Sequence, residues 1–373
     1  MSMDALKCPS CGAKMKRNGT TKAGTPRWRC KACGASATHT YNSDAKQLKK
    51  FLGWLLSKKT QAEMPGGGRS FRRMAERFWG LWALPPLVDE IHPVVFIDAI
   101  YIARNARVLI ACSESHVLGW YLARSEHSKA WGALMSRIAP PGLVVTDGAP
   151  GFEKARKRWW PDTVVQRCTI HAFRQVKKYT TTKPKLPAGV ELYALALELM
   201  RLKTIKEADE WVARYLGWCE RWSDFLEERT YGERGWDYTH WRLRKARNSL
   251  SRLVSTGSVF TYLTSEQAKE RELPATNNQI ESLNAQIRHV LRNHRGLSTM
   301  RRVKAAFWWC YMHTECPASE AKIIKMMPTD EDIEAIYQEL AIDEKRFDSI
   351  PQWGDALVWS EFHHSDPWRH DWD

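Results

Sequence analysis

No stretch of the 373-residue chain approaches the ~20 apolar residues needed to cross a bilayer. The longest candidate, residues 94–103, carries Asp98 in its middle. Residues 1–7 are short and polar and do not read as an export signal, which makes the cytoplasm the expected location and a membrane the wrong partner. Internal repeats and long low-complexity runs are missing as well, which excludes solenoid and fibrous architectures. The nine cysteines are odd in number, and without an export signal they point to reduced thiols and metal ligands rather than disulfides.

Acidic residues are in the minority, and they are unevenly spread. Lys and Arg number 57 and Asp and Glu 42, a formal net charge of +15. Residues 317–373 hold 5 basic and 14 acidic residues, so the preceding 316 carry +24. A basic body of that size suits a polyanion, because neutralising phosphates releases counterions and drives binding. A basic protein with no nucleic-acid role is the plain alternative. Tryptophan is abundant, at 19 residues, serving cores or base stacking; number alone does not separate the two.

Residues 1–40 are too few to build an apolar core. They contain Cys8-x2-Cys11 and, eighteen residues later, Cys30-x2-Cys33, with Gly12 and Gly34 after the second cysteine of each pair. Two such knuckles supply four thiolates for one structural Zn²⁺, which would hold the segment folded. Redox thiols are the alternative, and they need no second knuckle. Residues 41–88 read as a helical, helix-turn-helix-like unit. One helix starts at Asp44, Pro65-Gly-Gly-Gly interrupts, and a second begins near Ser70 with Arg69, Arg72 and Arg73 beside its apolar face; Pro85-Pro86 ends the unit. The same stretch is also consistent with a helical linker.

From residue 92 the pattern changes. Residues 94–102, 108–112 and 117–122 are β-prone runs with short connections, which suits an antiparallel meander. A helix over 128–138, a strand over 143–147 and a strand over 163–168 follow, which together describe a mixed α/β sheet flanked by helices. Residues 188–272 read as entirely helical, and further helices are expected from Asn278 past Arg292, over 298–315 and over 329–345.

Three carboxylates stand out. Asp98 interrupts an apolar strand, where Asp is disfavoured and costly to bury, unless it lies at a strand edge. Asp147 ends a strand before Gly148, where α/β sheets often carry ligand groups and where an Asp also caps a following helix. Glu281 opens a helix, and Arg288 and Arg295, at i+7 and i+14, with Arg292 near that face, would set guanidiniums beside it for backbone phosphates. An amphipathic surface helix has the same pattern. Three such carboxylates suit Mg²⁺ (or Mn²⁺), with two ions able to activate an attacking oxygen and stabilise a leaving one.

Phe96-Ile-Asp98, Val145-Thr-Asp147-Gly, Gln166-Arg-Cys168-Thr-Ile-His171 and Asn277-Asn-Gln-Ile-Glu281-Ser-Leu-Asn, in this order and spacing, resemble the DDE transposases of the Mutator-like superfamily, in particular its bacterial insertion-sequence members. The first forty residues separately resemble the zinc ribbons of several insertion-sequence transposases. The resemblance covers about residues 92–315. It implies an RNase H-like catalytic core over 92–187 and 274–316, interrupted by a helical insertion over 188–273 and followed by an acidic tail over 317–373, which the motifs do not explain. It implies that Asp98 bridges two metal ions, that Asp147 and Glu281 each hold one, and that Arg288 touches transposon-end DNA. Cys168 and His171 match a Cys-x2-His motif, for which substrate positioning is the expected role. The implied activity is binding of transposon-end DNA, strand cleavage and transfer of the 3′-OH into target DNA, by a homodimer or larger oligomer in the bacterial nucleoid. Two rivals remain: an RNase H-like structure-specific nuclease that does not join strands, and a catalytically inert zinc-ribbon and helix-turn-helix regulator.

Overall fold

The computed structural model describes residues 7–8, 10–38, 43–233 and 235–342. These fall into two units. The first comprises the described residues up to 54 together with 59–81 and 318–327; the second comprises 55–58, 82–317 and the described residues from 328 onwards.

In the first unit, strands β1 (Met15–Thr20), β2 (Pro26–Cys30) and β3 (Ser36–Thr38) form an antiparallel sheet in sequential order. Its interior is small: Met15, Cys8 and Cys30 are the buried side chains, with Trp28 and Ala37 packed against them. Helices α1 (Ser43–Leu55) and α2 (Gly67–Trp79) bury an aromatic cluster. Phe51 meets the edge of Trp79 at 5.0 Å, and Trp54 meets Phe71 at 5.2 Å. The helix expected near Ser70 starts three residues earlier, because Gly66, at φ 92°, turns the chain into it. Arg69, Arg72 and Arg73 are all exposed on α2.

The second unit is built on a five-stranded sheet. Strands β4 (Val94–Ala103), β5 (Ala106–Cys112) and β6 (Val117–Ala123) form the expected meander. Helices α3 (Ser128–Met135) and α4 (Pro150–Trp159) flank β7 (Leu143–Thr146), and β8 (Val164–Arg167) completes the spatial order β6-β5-β4-β7-β8. β7 and β8 run parallel to β4, so the sheet is mixed. The strands are buried almost throughout because helices cover both faces. Trp131 and Phe152, from α3 and α4, pack on one face with Leu109, Leu118 and Val144.

α5 (Thr169–Thr180) leads into the insertion: α6 (Pro187–Glu198), α7 (Ile205–Arg221), α8 (Ser223–Glu227), α9 (Trp241–Ser255) and the short α10 (Thr261–Thr264) and α11 (Glu266–Glu270). Its own core stacks Trp211 on Tyr215 at 5.5 Å, and Trp218 lies in the same cluster. Tyr215 satisfies its hydroxyl on Arg247 O and Ser251. The stretch is not entirely helical: β9 (Arg229–Gly232) and β10 (Gly235–Tyr238) form an antiparallel hairpin between α8 and α9.

α12 (Asn278–Asn293) and α13 (Thr299–Met312) return to the sheet, and Trp82, Trp120 and Phe307 meet edge to face there. α14 (Glu320–Met326) belongs to the first unit, and α15 (Asp330–Ile342) to the second. The helix expected over 329–345 is present as α15; the rest of the acidic tail lies outside the described residues. Among the described residues no helix is long and apolar enough to cross a membrane.

Candidate active site and metal centre

The parallel registers decide where the candidate residues meet. Val94 pairs with Leu143, and Phe96 with Val145. Carried two residues further, the same offset of 49 sets Asp98 beside Asp147. Between β7 and β8 the offset is 21, pairing Thr146 with Arg167, and so Asp147 comes beside Cys168. Asp147 and Cys168 therefore follow directly on the carboxyl ends of β7 and β8, where open α/β sheets bind ligands, and Asp98, midway along β4, lies near enough to feel the charge of Asp147. β7 pairs with β4 only through Phe96, and the carbonyl of Ile97 accepts from Asn277 Nδ2 at 2.9 Å.

Asp98 is mostly buried. Its Oδ1 accepts from Ala99 N at 2.9 Å and its Oδ2 from Asn284 Nδ2 at 2.8 Å. Desolvation, reinforced by the nearby charge of Asp147, pushes its carboxyl up to about 6. Asp147 Oδ1 accepts from Ala149 N at 3.0 Å, so the capping-type contact and the strand-end position coexist. Beside it stands Arg167, whose guanidinium is held below its ordinary range by burial while Asp147 opposes that shift. Gly148, at φ 80°, lies so close that a Cβ built there falls 0.4 Å from Arg167 Nη1.

Glu281 occupies the first turn of α12. Both of its oxygens are held by Arg174 of α5, at 2.9 and 3.4 Å, and His171 Nε2 lies 3.7 Å away. His171 and Glu281 thus lie side by side, and Arg174 joins them. Cys168 is 1% exposed, and its Sγ accepts from Asn277 N at 3.2 Å, so it ties the start of α5 to the start of α12 rather than facing a surface. Arg288 and Arg292 are exposed on α12. Arg295 is exposed too, but the helix ends at Asn293, so it does not continue the i+7 and i+14 face expected for it.

Several members of this cluster are not marked by spacing. Arg174 lies three residues after His171, on the same helix face. Asn277 and Asn284 flank Glu281 and are fully buried. Glu126, paired with Arg107 at 3.8 Å, has its carboxyl raised first by burial and then by the charge of Asp147, which puts a fourth acid near Asp147.

A further basic and aromatic surface lies at the far end of α5. It lies beyond Thr180, the last residue of α5, while Arg174, six residues earlier on the same helix, holds Glu281. Thr181, Lys183, Lys185, Trp241 and Arg242 line a groove there. Arg242 donates to Lys178 O and Tyr179 O, both at 3.0 Å, and Lys245 Nζ lies 4.8 Å from the Trp241 ring. Trp241 is 48% exposed. Thr181 takes φ 70°, the one positive value among described non-glycine residues.

The four knuckle cysteines converge. Their Sγ atoms all lie within 4.8 Å of one another, and the Cys8–Cys33 and Cys11–Cys30 pairs are 3.5 Å apart. A tetrahedron with Zn–S bonds of ~2.3 Å has edges of about 3.8 Å, so the donor set fits Zn²⁺. Both knuckles repeat one turn: Gly12 N bonds Cys8 O and Gly34 N bonds Cys30 O, at φ 72° and 75°. Backbone N–H groups hold Cys8 down at about 6 and lower Cys30, while neighbouring thiols push Cys11 up to about 12 and raise Cys33, as expected where four thiols crowd one point. Among the described residues this is the group of three or more ligating side chains close enough to share one ion; the three carboxylates do not close in that way, with Glu281 gripped by Arg174.

Residues 80–256 match the family model described as Transposase, Mutator family, a span that includes Asp98, Asp147, Cys168 and His171 and stops short of Glu281. The chain is 27% identical over 228 residues to a probable transposase for an insertion sequence element of Corynebacterium diphtheriae, covering 55% of this chain and 57% of that one. It is 28% identical over 165 residues to a probable ISRM3-like insertion sequence transposase of Sinorhizobium fredii, covering 38% and 41%. The ISRM3 transposase of Rhizobium meliloti matches at 27% over 165 residues, with the same coverage. The chain therefore spans between about two-fifths and three-fifths of the length of these relatives. Through the segment that carries Asp98, Asp147 and Cys168, this chain is similar to transposases of the Mutator family.

Proposed function

We propose that the chain is a DDE transposase: it binds transposon-end DNA, cleaves a strand and transfers the freed 3′-OH into target DNA. The observation that carries this reading is the register that sets Asp98 beside Asp147, with Glu281 brought to the same edge by α12. A mixed sheet in the order β6-β5-β4-β7-β8, with Asp98 midway along one parallel strand and Asp147 just past the end of its neighbour, is consistent with an RNase H-like core.

Asp98, Asp147 and Glu281 offer the all-oxygen donor set that Mg²⁺ or Mn²⁺ prefers. Two such ions, when bound, supply Lewis acidity at the attacking and leaving oxygens. The residues around them have their own work. Asn284 and the Ala99 N–H hold the Asp98 carboxylate in one orientation, and burial keeps bulk water from it. In the first reaction a water oxygen bonds to phosphorus and the P–O3′ bond breaks, releasing the 3′-OH. In the second that hydroxyl oxygen bonds to a target phosphorus in line as the target strand's own P–O3′ bond breaks, its proton passing to the released O3′, with no covalent enzyme intermediate. The cysteine quartet would hold one structural Zn²⁺.

For DNA, Arg69, Arg72 and Arg73 on α2 suit the terminal repeats, and Arg288, Arg292 and Arg295 suit backbone phosphates near the cut. The groove at Trp241 adds a basic and aromatic site past the end of α5. Two ends must be held at once, so a homodimer or larger assembly on DNA is the expected state, in the bacterial cytoplasm.

The test is a cleavage and strand-transfer assay with Mg²⁺ or Mn²⁺ and DNA carrying the repeats that flank the gene. Wild-type protein should nick at the repeat ends and give joined products, while Asp98→Asn and Glu281→Gln bind DNA but do neither. Nicking without joined products in any condition would favour a nuclease. Full cleavage by Asp98→Asn would remove the site assignment.

A further inference from the structure

Arg174 has two polar partners in the structure, and both belong to the site. Nη1 is 2.9 Å from Glu281 Oε1, Nη2 is 3.4 Å from Oε2, and Nη1 is 3.5 Å from His171 Nε2. The side chain is 53% exposed, so it is anchored at its tip and free to swing along its stem. A guanidinium fork that covers both oxygens of a carboxylate occupies the lone pairs that a cation would use. Glu281 cannot serve a metal fully while that grip holds. Once the grip is released, the exposed guanidinium needs another anion, and the anion that a strand-cleaving site brings in is a phosphate. Arg suits this exchange better than Lys, because one planar fork matches both carboxylate and phosphate.

We infer that Arg174 is a partner-exchanging positioning residue: it holds Glu281 in the free protein and moves to a phosphate of the bound DNA strand when Glu281 turns to the metal. This rests on the reading of Asp98, Asp147 and Glu281 as the metal site. The exchange couples two ligands. DNA withdraws the competitor from Glu281 and so tightens metal binding; metal frees the guanidinium and so tightens DNA binding. The two effects are equal in size, because binding linkage is reciprocal. The exposed ion pair sets the scale at about two- to fivefold. The arrangement also disfavours a charged metal site in protein that has not met DNA.

The experiment uses full-length, zinc-loaded protein and Mn²⁺ as the probe, with free ion followed by electron paramagnetic resonance. Mn²⁺ affinity is measured with and without a duplex carrying the flanking repeat. In the wild type, the duplex should raise Mn²⁺ affinity about two- to fivefold. In Arg174→Ala, Mn²⁺ should already bind that much more tightly without DNA, and the duplex should add nothing. Arg174→Lys, which keeps the charge but loses the fork, should restore part of the coupling. Equal Mn²⁺ affinity in wild type and Arg174→Ala, with the DNA effect intact in both, would overturn the inference. Glu281→Gln separates the two levels of the argument. If it binds Mn²⁺ as the wild type does, the site reading fails and the Arg174 exchange falls with it. If it loses Mn²⁺ while Arg174→Ala changes nothing, only the exchange is wrong.

Discussion

Asn284 donates its side-chain amide to Asp98 Oδ2 at 2.8 Å, from the helix turn that follows Glu281. The two residues are 186 apart in sequence, and the amide is fully buried. One bond thus fixes both the rotamer of Asp98 and the approach of α12 to β4. Partners that orient a metal-binding carboxylate typically change affinity or activity by about 10–100-fold when removed. Asn284→Ala should therefore weaken Mn²⁺ binding and slow nicking by that order while leaving repeat-DNA affinity unchanged. Asn284→Asp should do worse, because it sets a second carboxylate against Asp98. Mn²⁺ titration alongside a gel-shift assay reads both; a normal nicking rate in Asn284→Ala would refute the positioning role.

The raised carboxyl of Asp98 makes a pH prediction. Burial lifts it from 3.8 to about 6, so the folded chain holds this proton more tightly than the unfolded chain does. The proton's contribution to stability is fully present below pH 3.8 and is lost as pH rises through about 6. At neutral pH the ionised buried carboxylate then costs the metal-free fold about 2–3 kcal/mol. Asp98→Asn should accordingly melt higher than the wild type at pH 7.5 and lose that advantage at pH 4. Cation affinity should rise with pH up to about 6 and level off above it, since metal requires the ionised form. Thermal melts of both proteins across that range check the sign, and an advantage that grows towards acid would contradict it.

Gly148 is exacting for two reasons at once. Its φ of 80° disfavours any L side chain, and Arg167 fills the space where a Cβ would go. A left-handed non-glycine residue costs about 1–2 kcal/mol before any clash. Gly148→Ala should destabilise by more than that, because Arg167 must leave its buried place beside Asp147. A drop of several degrees in Tm, together with weaker Mn²⁺ binding, is expected. A melt within a degree of the wild type would mean that Arg167 rearranges freely.

The candidate site was readable from the sequence where local chemistry had no packing excuse. Asp98 betrays itself as a charge inside an apolar strand, and the paired Cys-x2-Cys spacing has few uses besides an ion. The meander and the mixed sheet follow from β-prone runs and short connections, and they are present as read. Arg174 was hidden because its partner is 107 residues away and only the docking of α5 against α12 brings them together. Asn277 and Asn284 look like ordinary helix-start and helix-face residues until the sheet supplies Ile97 O and Asp98. The hairpin at 229–238 did leave a trace, in Thr230, Tyr231, Trp236 and Tyr238 around two glycines, but the long helical patterns on either side masked it. Arg295 illustrates the opposite error: a face extrapolated past the helix end.

The proposed zinc site makes a prediction for the first forty residues. Met15, Cys8 and Cys30 make a core too small to offset the chain entropy of some thirty residues. Chelation, or Cys11→Ser, should unfold this segment while the sheet unit keeps its melting transition. One equivalent of zinc per chain should be released on thiol modification. Retention of ribbon structure without zinc, seen as unchanged protection in hydrogen exchange over residues 7–38, would show that the small core suffices.

The proposed DNA groove at the far end of α5 would offer two kinds of contact. Lys183 and Lys185 are exposed ammonium groups, whereas Trp241 offers a half-exposed ring that already stacks a cation. Phosphate contacts act through counterion release, so Lys183→Ala with Lys185→Ala should weaken DNA binding and lower the salt slope by about 1–2. Stacking is insensitive to salt and is worth about 1–3 kcal/mol per base. Trp241→Ala should therefore weaken binding roughly tenfold at every salt concentration and leave the slope unchanged. The strained Thr181 beside them gives an internal control: Thr181→Gly should relieve a backbone cost of about 1–3 kcal/mol and stabilise the fold. If the strain shapes the groove for DNA, the same variant should bind DNA more weakly despite its higher Tm. Affinity that follows stability upward would assign the strain to packing alone.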